Sequence, residues 1–240
     1  MPINTIADNY SALWKQADEA QEKDLPQTEM KWLLQIADKA KKEQVYGQLM
    51  KAELRLMKAK AVVAPDSLAP AVSRMVKAEA AERQQNPVLS MVYASVLGHI
   101  YKNYPGLDDD HEAISADYYT RSLARPELLA ASKALDYAPL VVEGKDSRIF
   151  YNDLLSMLGY EADNMQLLHD YYERTGNRAA TLITALELLR KSRKSWERDL
   201  QQSPYVASLD SLAACYGDLN ECAEVAIERY SMMEQCQTSA

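Results

Sequence analysis

The chain has 240 residues, 48% of them hydrophobic and 26% charged, enough for one sizeable core or two small ones and against disorder along its length. Its 35 acidic and 27 basic side chains give a net charge of −8, which disfavours nonspecific binding to nucleic acid or an anionic membrane. No run approaches the roughly twenty apolar residues that span a bilayer, and MPINTIADNY lacks the charged and apolar regions of a signal peptide, so the sequence reads either as cytoplasmic or as a mature exported chain.

Few prolines and glycines occur, and they act as punctuation. Between them the apolar spacing predicts about twelve helices, at 4–20, 26–42, 46–62, 68–84, 87–103, 109–122, 126–134, 147–158, 161–175, 177–196, 204–216 and 219–235. In the second, Met30, Leu33, Leu34, Ala37 and Ala40 form a stripe, and Trp32 and Ile36 point away from it. The third carries two stripes, Leu49/Ala52/Leu56 and Met50/Leu54/Met57, as a helix covered on two sides requires. Asn86-Pro87 and Ser203-Pro204 read as a cap followed by proline at the first helical position. Gly176-Asn177 reads as a stop followed by the next cap. In the last helix Leu219, Cys222, Ala223, Ala226, Ile227 and Tyr230 follow the helical rule.

Two places, Leu168/Tyr172/Gly176/Ala180 and Leu212/Tyr216/Gly217/Ala223/Ala226, suggest a tetratricopeptide-like step, out of register with the 34-residue consensus. The expected fold is all-α: an irregular stack of antiparallel helical hairpins in one domain, 1–240, with a soft subdivision near 136–147.

The longest gap in the helical pattern is Tyr137-Ala138-Pro139-Leu140-Val141-Val142, where Pro139 stops a helix. Glu143-Gly144-Lys145-Asp146 follows as a turn. Leu140, Val141 and Val142 are too apolar for a free loop. Burial tendencies place them in the core, in an ordered segment packed against helices on both sides. The alternative is an exposed edge that docks another domain.

Catalytic chemistry is poorly represented. His111-Glu112-Ala113-Ile114-Ser115 has a serine where a zinc protease needs its second histidine, and the carboxylates Asp108, Asp109, Asp110 and Glu112 read as offsetting a helix's positive end. His99 reads as a packed histidine and His169 is isolated. Arg190, Lys191, Arg193, Lys194 and Arg198 form the strongest basic cluster, read as cations at a helix C-terminus. Cys215, Cys222 and Cys236 make neither a metal knuckle nor a disulfide framework. Cys222 reads as a small buried filler, and a Cys215–Cys222 bridge is the alternative. The 15 tyrosines, with one phenylalanine, suit helix faces that pack a ring and leave a hydroxyl wet, or a surface for a partner. The sequence therefore offers no catalytic, cofactor-binding or metal-ligating residue, and no cofactor. It points to a protein partner, with no nucleic acid and no direct membrane insertion.

Tyr10-Ser11-Ala12-Leu13-Trp14-Lys15, Lys23-Asp24-Leu25-Pro26, Gly47-Gln48-Leu49-Met50-Lys51-Ala52, Tyr119-Thr120-Arg121-Ser122-Leu123, Asp136–Leu155 and Tyr171-Tyr172-Glu173-Arg174-Thr175-Gly176-Asn177-Arg178 carry a resemblance. Over nearly its whole length the chain resembles the N-terminal helical region of large bacterial alpha-2-macroglobulin-like proteins. The resemblance implies a mature, exported, periplasmic or envelope-associated protein cut from a longer chain. It also implies that this part is a non-catalytic scaffold or interaction module whose partners are proteins or other domains of the parent. Related proteins trap proteases with downstream β-sandwich domains and a thioester built from Cys-x-Glu-Gln. Here Glu234-Gln235-Cys236 has those elements in the wrong order. A stand-alone cytoplasmic helical-repeat adaptor is the second reading.

Overall fold

The computed structural model describes residues 3–144, 146–193 and 203–237. The fold is all-α: the described residues form twelve α-helices and no strand. It divides into two compact units, 1–145 with 152–162, and 146–151 with 163–240.

The first unit holds α1 (Ile3–Glu22), α2 (Pro26–Glu43), α3 (Tyr46–Val63), α4 (Leu68–Gln85), α5 (Pro87–Asn103), α6 (His111–Ser122), the short α7 (Pro126–Ala130) and α8 (Leu154–Glu161). Apolar faces set the packing order. Tyr10, Leu33, Ile36 and Ala52 close one core among α1, α2 and α3. Met57, Met75, Leu97 and Tyr118 close a second among α3, α4, α5 and α6. The two stripes of α3 thus enter two different cores. In α2 the expected stripe is corrected: Ile36 joins Leu33 at 0% exposure, whereas Leu34 is 46% exposed. The packed arc of α2 is narrower than its apolar arc, because α1 and α3 both meet the Leu33/Ile36/Ala40 side.

Ion pairs secure both cores. Arg55 on α3 bonds Asp18 at 2.5 Å and Glu29 at 2.7 Å. Glu79 on α4, 2% exposed, accepts from Arg83 at 2.7 Å and from Arg121. Burial alone would raise the Glu79 carboxyl, but the two guanidiniums outweigh it and hold it below its ordinary range. No described helix is long and apolar enough to cross a membrane.

The second unit begins with a 3-10 turn, Ser147–Phe150, followed by α9 (Met165–Thr175), α10 (Arg178–Ser192), α11 (Pro204–Tyr216) and α12 (Ala223–Gln237). Leu182, Leu186, Tyr205, Leu209, Val225 and Met232 form its core. Phe150 tilts against Tyr172 with ring centroids 5.3 Å apart. The Gly176-Asn177 signal has the expected form: Gly176 has φ 78° and the Asn177 side chain accepts from Ala180 N–H. The same Asn177 donates to the Ile149 carbonyl at 2.8 Å, tying the first turn to α10. Asn86 caps α5 in the same way, through Leu89 N–H. Ser203 departs from expectation: it makes no side-chain cap of α11. The α12 stripe also turns differently. Val225 and Met232 are buried, while Ile227 and Tyr230 are 56% and 63% exposed.

Three predicted helices are shorter than expected, two of them for one physical reason. Asn and Asp tolerate left-handed backbone and compete for the first amides of a helix. Residues 147–158 break at Tyr151 and Asn152, with φ of 58° and 53°, and Asp153 restarts the chain by accepting Ser156 N–H at 2.8 Å. Residues 161–175 break at Asp163, φ 54°, and Asn164 caps α9 through Leu167 N–H. After α7 the chain forms a 3-10 turn, Ala134–Tyr137, in place of the continued helix to 134.

Candidate functional site

An open apolar groove lies in the first unit. Its walls come from α3 (Leu54), α5 (Val92, Val96, His99), α8 (Met157, Leu158, Glu161) and the run Leu140–Val142, enclosing about 330 Å³.

The loop that supplies the run is pinned at its neck. Ala134 N–H donates to the Asn152 carbonyl at 3.0 Å and Leu154 N–H to the Ser132 carbonyl at 2.9 Å, around an antiparallel bridge of Lys133 with Asp153. Gly47 at the start of α3 lets the loop press close. A Cβ there would lie 2.2 Å from the Tyr137 carbonyl oxygen. Beyond Tyr137 the Ala138–Pro139 peptide is cis. Leu140 and Val141 both donate to the Tyr137 carbonyl, at 3.0 and 3.1 Å.

The run is therefore a turn whose first two amides bond back to Tyr137, not the buried extended strip expected of it. Its burial is corrected too. Leu140 and Val141 are half-buried, and Val142 is 76% exposed.

A polar cluster closes one end of the groove. His99 Nδ1 lies 2.8 Å from Glu161 Oε1, and Tyr119 Oη donates to the same oxygen at 3.0 Å. Burial first, then the Glu161 charge, push the Tyr119 hydroxyl far above its ordinary value, so it stays a donor. Gly98 allows this meeting, since the Tyr119 ring sits 2.9 Å from where its Cβ would stand. Ser115 braces the crossing by donating to the Gly98 carbonyl at 2.8 Å. His99 is thus not the packed histidine expected: its side chain is 53% exposed and meets the Glu161 carboxylate across helices. It lies on the α5 face that meets α8, and α8 leaves its end open.

Ser95 lies one turn before His99 on the same wall, so a serine, a histidine and a carboxylate share the groove. Among the described residues Ser95 and His99 share no hydrogen bond, and His99 and Tyr119 both meet Glu161 instead.

A second cleft of about 360 Å³ opens among α2, α3 and α4. Lys41, Lys60 and Arg74 face Asp38 and Glu53 over an apolar floor. Burial raises the Glu53 carboxyl, with Lys41 and Arg74 opposing. The mixed charges give that cleft no single polarity.

The residues singled out in the sequence occupy structural positions. His111 Nδ1 lies 3.2 Å from the Tyr101 carbonyl. Asp108 accepts from Asp110 N–H ahead of α6. His169 sits 3.3 Å from Thr181 O and Thr184 Oγ1. Arg190 bonds Glu187 and Glu228, Lys191 pairs with Asp163, and Arg193 lies over the Tyr205 ring. Lys194 and Arg198 fall outside the described residues, as do the side chains of Glu234, Gln235 and Cys236. Cys215 is exposed and Cys222 half-buried, and the two thiols are free. Among the described residues no three His, Cys, Asp or Glu side chains gather to hold a metal.

Several tyrosine hydroxyls are not wet, as expected, but bonded to glutamate. Tyr10 donates to Glu43 at 2.6 Å and Tyr205 to Glu228 at 2.7 Å, as Tyr119 does to Glu161. Sequence reasoning missed Glu161 and Tyr119 as partners at the groove's end. They come from separate helices, and no local pattern marks them.

No protein-family model matches the chain, and no curated protein or solved structure matches it.

Proposed function

We propose that this chain is a non-catalytic helical scaffold and protein-interaction module, the N-terminal part of an exported alpha-2-macroglobulin-like protein, and that the groove beside Leu140–Val142 is its contact surface. The observation that carries the interaction half is the open groove itself. Aliphatic walls surround about 330 Å³, and a β-branched residue, Val142, stands 76% exposed at its edge. Such a patch costs free energy in water and is relieved when a partner covers it. The rigid setting supports the same reading. The neck bonds, the Gly47 approach and the Glu161 cluster fix the walls before any partner arrives, which lowers the entropic cost of association.

The parentage rests on the resemblance at scaffold positions such as Asp136–Leu155, which are not catalytic motifs. Reading the complete coding sequence tests it. A signal sequence upstream and β-sandwich domains downstream are the expected result. An open reading frame coding for these residues alone, without an export signal, would overturn it.

A further inference from the structure

We propose that the groove receives an aliphatic protein segment carrying a lysine or arginine, with the cation seated on Glu161. This rests on the reading of the groove as a contact surface and adds the chemistry of the occupant. Leu54, Val92, Val96, Leu140, Met157 and Leu158 leave room for aliphatic side chains, and Glu161 is the one carboxylate among the lining residues.

Three observations give the polar end its sign. Glu161 is the last residue of α8, where the helix carbonyls point outward and a carboxylate is on the unfavourable end of the dipole. His99 and Tyr119 both bind Oε1, and Oε2 has no partner among the described residues. The Glu161 side chain is 44% exposed, so that oxygen can be reached from solvent. A cation placed there meets the free carboxylate oxygen and the helix end together. An acidic segment would be repelled by both. The chain's net charge of −8 adds long-range attraction for a basic segment.

Three capped peptides differing at one position, GVLVKG, GVLVQG and GVLVEG, test this by amide-resolved NMR titration of the full 240-residue chain. Shifts should map to α5, α8 and residues 140–142. Affinity should fall in the order Lys, Gln, Glu by about threefold to fivefold per step, as expected for a partly exposed ion pair. Glu161→Gln keeps an oxygen for the Tyr119 hydroxyl and should level the series.

Equal affinities for the three peptides, or a discrimination that survives in Glu161→Gln, would overturn the proposal. If the shifts still map to the groove, the contact-surface reading stands without it. Absence of any shift in the groove would overturn both. Self-association of the chain that Val142→Asp abolishes would replace the basic segment with a second copy.

Discussion

Tyr137 and Val142 are five positions apart in one loop, and they meet opposite environments. Tyr137 is 6% exposed and Val142 76%. Burial chiefly, with Asp136, Tyr46 and Glu82 adding, pushes the Tyr137 hydroxyl up to about 12. What separates the two residues is not their own apolarity, since valine is the more apolar. It is a backbone approach: Gly47 admits the Tyr137 carbonyl against α3, and that carbonyl then collects the Leu140 and Val141 amides. Ala134 and Tyr137 become core. The residues after Tyr137 form a turn beside a groove. Burial here follows from where backbone can come close, and only then from side-chain type.

The buried end of the loop is the more sensitive one. Tyr137→Ala should destabilise the first unit by about 3–5 kcal/mol, the usual cost of deleting a buried aromatic ring. Urea unfolding followed by far-UV circular dichroism measures it, and a loss below about 1 kcal/mol would remove the anchor from the account. Gly47→Ala should cost about 1–3 kcal/mol, as overpacking does, because its Cβ would stand 2.2 Å from the Tyr137 oxygen. A neutral result would mean that the loop lifts from α3 without penalty.

Alkaline pH gives a smaller effect. The folded Tyr137 hydroxyl titrates near 12, above the unfolded value of about 10. The folded state therefore holds its proton more tightly. That stabilisation is complete below about pH 10 and is lost as pH rises from about 10 towards 12. Tyr137→Phe should blunt the loss in that window without abolishing it. Tyr119 and Tyr205 are raised for the same reason, burial first. An unchanged alkaline profile in Tyr137→Phe would contradict the assignment.

Much of the architecture was legible because helices announce themselves locally. The two stripes of α3 and the Asn86 and Gly176-Asn177 signals could be read from spacing alone. Helix ends at Asn152 and Asp163 were not, because an Asx residue mid-pattern looks harmless until the backbone turns left-handed there. The groove was less legible still. His99 meets Glu161 across 62 positions and Tyr119 meets it across 42, and neither pairing leaves a periodic trace. Apolar content alone placed Leu140–Val142 in the core. Deciding otherwise needed the Gly47 contact, a meeting of residues about ninety positions apart. In α12 the apolar side was wider than the side that packs, so Ile227 and Tyr230 could not be told from core by period.

Val142 stands at the edge of an open groove and is not part of the core. Chemical denaturation of Val142→Asp beside the parent chain tests it most directly. The unfolding free energies should agree within about 0.5 kcal/mol, as for an exposed substitution away from structural features. A loss of about 2 kcal/mol or more, the signature of a charge forced into apolar surroundings, would contradict it and return Val142 to the core.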